Sequence, residues 1–404
     1  ASAERQVSRA VSRRRDGVGA AALSFEFATA VRIVFGAGRL REAGTIAAGL
    51  GAHALVVESG SGRADGLIAL LHEQGVATTT FRARGEPTIA LVEEGARVAR
   101  DAECDIVISL GGGSTIDSGK AIAALVTNRA PVRDYLEVVG RAQPLTEPPL
   151  PFIAIPTTAG TGAEVTRNAV LLAEEERVKV SLRSPLMLPA VALVDPELTY
   201  SVPPDVTAWT GLDALTQCLE PFVSPKGNPL TDAIAREGLV RAARSLWRAG
   251  REGSFSARED MAVASLCGGL ALANAKLGAV HGFAAPLGGM FPIPHGVACA
   301  RLLGPVAEAN VRALAERRGN ATSYLRYEEL TRIFISDPHA TVFDGVAALH
   351  SLVEELQVPR LRAYGLRNED VPTVVAQAKR ASSMQGNPVA LTDAELVGAL
   401  EAAL

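Results

Sequence analysis

The stretch DIVISLGGGSTIDSGKAIAAL, residues 105–125, decides the fold, because a predicted strand runs through a glycine turn directly into a helix. The apolar run DIVISL is typical of a strand that is covered on both faces of a parallel sheet. The three glycines let the backbone approach a ligand without a Cβ in the way. The N–H groups that open the helix, together with the hydroxyls of Ser114 and Thr115, can then bind an anion such as a pyrophosphate.

This glycine turn is neither the GxGxxG nor the GxxxxGK[ST] phosphate-binding motif. An ordinary glycine-rich turn between a strand and a helix is therefore the alternative interpretation. Asp117 and Lys120 follow on the predicted helix and favour the functional interpretation.

The alternation of short β-rich runs with helical runs extends from Phe25 to about residue 198. Helical runs such as 38–51 and 88–102 separate the β-rich runs, and this order predicts a parallel sheet covered on both faces. The predicted strands are VRIVFG (31–36), HALVVES (53–59), ATTTFR (77–82), DIVISLGGG (105–113), PFIAIPTT (151–158) and AVALVDP (190–196).

The sequence pattern changes after the proline cluster SVPP at 201–204, because helical apolar spacing then continues almost to the end of the chain. We therefore predict an α/β dinucleotide-binding domain over residues 25–200 and an all-helical metal and substrate domain over 201–404. Residues 1–24 carry five arginines and are predicted to be a flexible extension, although an organelle transit peptide shares this bias.

Composition excludes several classes of partner. The formal charge of −4 and the pI of about 6.0 give no electrostatic footprint for nucleic acid or for an anionic membrane. No apolar run reaches the length of about 18 residues that a bilayer-spanning helix needs. Four cysteines without a CxxC pair indicate buried, reduced thiols in a cytoplasmic protein.

Two stretches together predict a metal site. Asp213 and Gln217 lie four residues apart on a predicted helix and therefore face the same way. His281 and His295 are separated by a stretch rich in proline and glycine, so that a helix end and a turn can bring them together. One carboxylate, one amide oxygen and two imidazoles could hold a divalent cation such as Fe²⁺ or Zn²⁺. Taken singly, each histidine could be a core residue and Asp213 a helix cap.

A second polar loop, PTTAGTGAEV at 156–165, follows the predicted strand PFIAI. Loops at the carboxyl ends of parallel strands are where open α/β sheets bind ligands. The threonine hydroxyls of this loop could reach a ribose, a nicotinamide amide or a pyrophosphate.

With these motifs in this order, the chain resembles the iron-containing (group III) alcohol dehydrogenases. The resemblance implies a Rossmann-like N-terminal domain and an all-helical C-terminal domain, as in dehydroquinate synthase-like folds, and it extends over nearly the whole chain. The matching segments are VFGAGRL, GGGSTIDSGKA, PTTAGTGAEVT, VDPEL, GLDALTQCLEPFVS, VHGFAAPLGG and PHGVACA.

The resemblance assigns roles to individual residues. Asp213, His281 and His295 would be metal ligands and catalytic residues in the cleft between the domains. Binding of the cofactor pyrophosphate would fall to Gly111, Gly112, Gly113 and Ser114. The rest of the cofactor would be surrounded by Asp117, Thr157, Thr158, Thr161 and Lys179. The implied reaction is hydride transfer between NAD(P) and a small alcohol or aldehyde, with the cation as a Lewis acid. A homodimer is also expected.

Three positions depart from the family pattern. Gln217 stands where the second ligand is usually histidine, and Ala285 stands where many metal-dependent members carry another histidine. In the segment 58–63, Glu58 could bind the ribose 2′-hydroxyl, whereas Ser59 and Arg63 could accept a 2′-phosphate. We expect NAD rather than NADP.

These departures leave two alternatives open. One is a metal-independent reductase of an anionic oxo acid, similar to maleylacetate reductases. The other is a relative that binds the nucleotide without catalysis.

Overall fold

The computed structural model describes residues 23–60, 62–317 and 320–404. The predicted flexible extension over residues 1–24 therefore lies almost entirely outside the described residues. Within the described ranges, no single helix is long and apolar enough to cross a membrane.

A six-stranded parallel sheet occupies the first half of the chain, in the order β1-β8-β5-β4-β2-β3. Every predicted strand is present, with each end within two residues of its predicted position, so the predicted fold class is confirmed. The strands are β1 (Arg32–Phe35), β2 (His53–Glu58), β3 (Ala77–Arg82), β4 (Ile106–Gly111), β5 (Phe152–Pro156) and β8 (Val191–Val194). The helices of this part are α1 (Ala43–Ala48), α2 (Ala64–Glu73), α3 (Ile89–Asp101), α4 (Gly113–Thr127) and α5 (Val132–Tyr135).

An antiparallel hairpin was not predicted. It is formed by β6 (Asn168–Ala173) and β7 (Val178–Arg183), which pair with each other and not with the main sheet. Both strands alternate buried with partly exposed residues, as expected for a sheet with one covered face. Through this hairpin, β7 places Lys179 against the helical part of the chain, beside Gly288.

The second half is helical, as predicted. Helix α6 opens with Pro204, whose fixed φ and missing N–H suit the first helical position. The helices are α6 (Pro204–Val223), α7 (Pro229–Arg251), α8 (Phe255–Asn274), α9 (Ala279–Met290), α10 (His295–Glu316), α11 (Ala321–Phe334), α12 (Val342–Glu355), α13 (Val371–Ala378) and α14 (Asp393–Ala403).

Separate apolar cores support the two halves. Alternate residues of β2 enter two different clusters, Leu55 on one face of the sheet and Val56 on the other, so helices cover both faces. A third and larger core surrounds α6, where Leu212 and Leu215 are fully buried. The α/β part and the helical part therefore each have their own core. The boundary between them at residue 200 remains a prediction.

A buried lysine fixes the loop that follows β5. The Lys120 side chain on α4 is 1% exposed. Its ammonium group donates to the carbonyls of Ala163 and Asn168 and to the hydroxyl of Thr166 at 2.7–2.9 Å. Asp117 balances the charge from 3.7 Å. Lys120, which in the sequence favours a phosphate-binding role for the glycine turn, thus holds residues 156–165, called the threonine loop below, against α4.

The same loop touches the helical half at a glycine crossing. Gly162 has φ +58° and approaches α8 so closely that a Cβ on it would lie 2.5 Å from the Cα of Gly269. In the first turn of α8, the guanidinium of Arg258 donates to the carbonyls of Thr199 and Val202, in the segment that joins the two halves. These contacts fix how the threonine loop faces the helices.

Burial of Glu164 in this loop should make the stability of the protein depend on pH. Its side chain is 2% exposed, and burial raises its pKa to about 7, although its own backbone N–H and Lys120 act in the opposite direction. Because the folded-state pKa lies above that of the unfolded chain, the contribution of this carboxyl to stability is complete at acidic pH. It is lost as the pH rises from about 4.5 to about 7.

Glu164→Gln keeps the neutral form at every pH and should therefore unfold like the wild type at pH 4. Between pH 7 and 8 the variant should be more stable by about 3 kcal/mol, measured by denaturant unfolding across this pH range. Exposed Glu174→Gln is the matched control and should show no such trend. A pH-independent difference for Glu164→Gln would contradict the assignment.

Candidate active site

The carboxyl ends of three neighbouring strands align at one edge of the sheet. Glu58 at the end of β2 is in register with Leu110 of β4, and Gly111 is in register with Pro156 of β5. The Glu58 carboxylate accepts hydrogen bonds from the Gly60 N–H at 2.5 Å and from the Arg82 side chain at 3.2 Å. This edge is where an open α/β sheet binds ligands.

The glycine turn and the threonine loop close on each other at this edge. A Cβ on Gly113 would lie 2.7 Å from the Thr161 side chain, and one on Gly112 would lie 3.4 Å from Thr158 Oγ1. Gly112 caps α4 without a side-chain hydrogen bond. The first N–H groups of a helix have no intrahelical acceptor, so this turn has the donors that bind a phosphate. The residues present therefore fit a dinucleotide.

The other predicted cofactor residues have partners within the protein. Thr157 is buried, and its N–H donates to the Gly111 carbonyl at 2.9 Å. The Asp117 carboxylate accepts from the Val170 N–H at 3.0 Å, and burial raises its pKa. Lys179 forms an ion pair with Glu86 at 2.8 Å and lies under α9, beside Gly288. Their roles toward a cofactor remain predictions.

Three of the four predicted metal ligands meet at one point. Asp213 lies on α6, His281 lies in the first turn of α9, and His295 is the first residue of α10. Asp213 Oδ1 is 3.3 Å from His281 Nε2 and 3.6 Å from His295 Nε2. As expected, a helix end and the short turn after it bring the two histidines together.

Asp213 carries an unsatisfied buried oxygen. The residue is 1% exposed, and its Oδ1 has no hydrogen-bond partner of normal geometry among the described residues. Burial raises the pKa of this carboxyl, but the neighbouring imidazoles of His295 and His281 outweigh burial and leave the pKa below its usual value. A buried carboxylate oxygen without a hydrogen bond of normal geometry, which two imidazole nitrogens approach within 3.6 Å, fits a cation.

Glu220 is a site residue that the sequence did not reveal. Its Oε2 is 2.7 Å from His281 Nδ1, and its Oε1 accepts from the Val280 N–H at 2.7 Å. The carboxylate therefore holds Nδ1 in its protonated form and leaves Nε2 facing Asp213. A signal existed, because Glu220 follows Asp213 by seven residues, which is two helical turns on the same face.

Cys299 is the second residue that was missed. All four cysteines are free and buried, as predicted. However, Cys299 Sγ lies 3.7 Å from His281 Nε2 and 3.6 Å from His295 Nε2. Burial raises the pKa of this thiol to about 12. The ligand atoms of Asp213, His281, His295 and Cys299 all lie within 4.8 Å of one another.

Gln217 is buried one helical turn beyond Asp213, as the spacing predicted. Its Nε2 donates to the Gly160 carbonyl at 2.8 Å, which ties the side chain to the threonine loop. Only the amide oxygen is left for a ligand role, and that role remains a prediction.

Comparison with known proteins agrees with this geometry. The iron-containing alcohol dehydrogenase family matches residues 30–196, and the C-terminal region of the same family matches residues 207–404. Alcohol dehydrogenase 4 of Saccharomyces cerevisiae strain YJM789 is 37% identical over 337 residues, which are 83% of this chain and 85% of that protein.

Solved structures show the same fold. A 1,3-propanediol oxidoreductase superposes with a TM-score of 0.86 at 33% identity, over 95% of this chain and 100% of that chain. Sulfoacetaldehyde reductase from Bifidobacterium kashiwanohense, solved in complex with NAD⁺, gives 0.82 at 32% identity, over 94% of this chain and 99% of that chain. The chain belongs to the iron-containing alcohol dehydrogenase family and is an oxidoreductase that acts on CH–OH donors.

Proposed function

We propose that this oxidoreductase uses NAD and a divalent cation to interconvert a small alcohol and its aldehyde. The cation, Fe²⁺ or Zn²⁺, is held by Asp213, His281 and His295, with the amide oxygen of Gln217 as a weaker donor. The observation that carries the proposal is the buried Asp213 oxygen, which faces two imidazole nitrogens and has no hydrogen-bond partner of normal geometry among the described residues.

Residues of both halves prepare the site. When bound, the nicotinamide supplies the hydride chemistry and the cation supplies Lewis acidity toward the substrate oxygen. Glu220 keeps the Nδ1 proton on His281, so that the Nε2 lone pair points into the site. The glycine turn and Ser114 would bind the pyrophosphate, and Lys120 holds the threonine loop beside this turn.

The proton that accompanies the hydride needs a route that does not use Ala285. Ala285 lies one turn after His281 on α9 and carries no proton. We propose that a ribose hydroxyl or water moves this proton instead. Besides Asp213 and His281, the ion pair between Lys179 and Glu86 also acts on the charge of His295, whose pKa is lowered mainly by burial.

A metal-independent reductase of an anionic oxo acid is the second candidate. It is favoured by Gln217, whose amide nitrogen donates to the Gly160 carbonyl and whose oxygen is a weaker ligand than imidazole.

The expected homodimer and cytoplasmic location also remain predictions. Light scattering on the purified protein tests the dimer.

Turnover after chelation separates the two candidates. Purified protein, stripped of metal with a chelator, should neither oxidise nor reduce members of a broad alcohol and aldehyde panel with NAD(H). Addition of Fe²⁺ or Zn²⁺ should raise the activity at least about 100-fold above that of the metal-free protein, because a Lewis acid lowers the activation barrier by several kcal/mol. Full activity after exhaustive chelation would favour the oxo-acid reductase, and cofactor binding without any turnover would favour the non-catalytic alternative.

Glu58 should determine the cofactor preference. Its carboxylate at the end of β2 would accept from a ribose 2′-hydroxyl and repel a 2′-phosphate. The wild type should therefore prefer NADH over NADPH in kcat/KM. Glu58→Gln should reduce that preference about tenfold, or about 1.4 kcal/mol. Exposed Glu73→Gln is the control. A wild type that prefers NADPH would contradict this role.

The amount of bound metal should depend on His281 and on Glu220, which orients the His281 ring. His281→Ala should abolish stoichiometric binding of Zn²⁺ or Fe²⁺ in elemental analysis. Glu220→Gln, which retains an acceptor for Nδ1 but loses the charge, should weaken metal binding about 10–100-fold. The exposed His72→Ala should bind metal like the wild type. Stoichiometric metal in His281→Ala would refute the ligand assignment.

A further inference from the structure

We propose that Cys299 is a metal ligand in this chain, and that its thiolate provides the strong fourth donor that Gln217 does not. The inference rests on the proposed metal site and changes its chemistry. The set becomes one carboxylate, two imidazoles and one thiolate, which favours Zn²⁺ over Fe²⁺ because thiolate is a soft ligand.

The first support is the spacing of the four ligand atoms. Zinc bonds of about 2.0 Å to oxygen and nitrogen and about 2.3 Å to sulfur, at tetrahedral angles, require about 3.3 Å between oxygen and nitrogen and about 3.6 Å between nitrogen and sulfur. The Asp213 oxygen lies 3.3 and 3.6 Å from the two imidazole nitrogens. The Cys299 sulfur lies 3.7 and 3.6 Å from the same two nitrogens.

The second support is the state of the other candidate donor. Gln217 Nε2 donates to the Gly160 carbonyl at 2.8 Å, so the amide is held by the threonine loop, and its oxygen is neutral. In contrast, Cys299 Sγ contacts both site histidines, at 3.7 and 3.6 Å, and Asp213.

The third support is the buried Asp213 oxygen, which has no hydrogen-bond partner of normal geometry among the described residues and fits a cation at the same point. Cys299 follows His295 by four residues, so α10 presents both side chains on one face. As a cation binds, the thiol proton leaves to solvent, and the sulfur takes the cation in its place.

Cobalt substitution tests the inference without activity measurements. The metal-free protein is titrated with Co²⁺, and the absorption spectrum is recorded. A thiolate ligand produces a near-ultraviolet sulfur-to-cobalt charge-transfer band at one equivalent. That band should be absent from Cys299→Ser and Cys299→Ala and unchanged in Cys104→Ser, whose thiol lies in the α/β part.

Affinity gives a second readout. In competition with a chromophoric chelator, Cys299→Ser should bind Zn²⁺ at least about 100-fold more weakly than the wild type. This loss exceeds the usual effect of removing a residue that only hydrogen-bonds to a metal ligand. Gln217→Leu, which removes the amide donor, should weaken Zn²⁺ binding less than Cys299→Ser does. Circular dichroism confirms that each variant is folded. If Cys299→Ser does not fold, the other three cysteines are replaced one at a time, as Cys104→Ser, Cys218→Ser and Cys267→Ser. A charge-transfer band that persists in all three variants leaves Cys299 as the sulfur ligand.

The outcomes are distinct. One equivalent of bound Co²⁺ without a charge-transfer band, or a band that persists in Cys299→Ser, would overturn the role of Cys299 and leave the proposed metal site intact. Failure of the wild type to bind Co²⁺ or Zn²⁺ at all would overturn the proposed site and this inference together.

Discussion

The arrangement of the site depends on a single electrostatic constraint, the burial of the Asp213 carboxylate. A buried carboxylate must be met by donors or by positive charge, since otherwise its desolvation costs several kcal/mol. Asp213 is 1% exposed, and its Oδ1 lies 3.3 and 3.6 Å from two imidazole nitrogens. The helices α6, α9 and α10 converge so that their side chains surround this oxygen. A divalent cation at that point satisfies the carboxylate, both imidazoles and the Cys299 sulfur together.

The α/β part contributes to the same site through loops and not through its core. Parallel strands end in register at one edge, where the glycine turn and the threonine loop approach closely enough to leave no room for a Cβ on Gly113. Lys120 fixes the threonine loop from below, and Gly162 lets it lie against Gly269 of α8. The threonine loop is therefore tied to the helical half at two places, to α8 at Gly162 and to α6 through the hydrogen bond from Gln217 to the Gly160 carbonyl.

Sequence patterns predicted the regular parts of this structure well and the long-range polar contacts poorly. The six parallel strands were predicted to within two residues at each end, since five of them are short apolar runs bounded by turn residues and β3 is rich in threonine. The β6–β7 hairpin was missed, because its two strands follow each other without a helix between them and pair outside the main sheet. The sequence pattern associated Lys120 with the phosphate-binding glycine turn. Its ammonium group instead reaches the carbonyls of Ala163 and Asn168, and no sequence spacing reports such long-range contacts. Glu220 and Cys299 stand at helical spacings from Asp213 and His295 and could have been found, but only with the helix bounds known.

The central claim is that a cation occupies the point where Asp213, His281 and His295 meet. Anomalous X-ray scattering at the zinc edge, from crystals grown with Zn²⁺ and NADH, tests this claim directly. The account predicts one strong peak within about 2.3 Å of the Asp213 oxygen and of both Nε2 atoms. Absence of a peak there under saturating Zn²⁺, with the Asp213 carboxylate hydrogen-bonded to water or to the imidazoles instead, would contradict it.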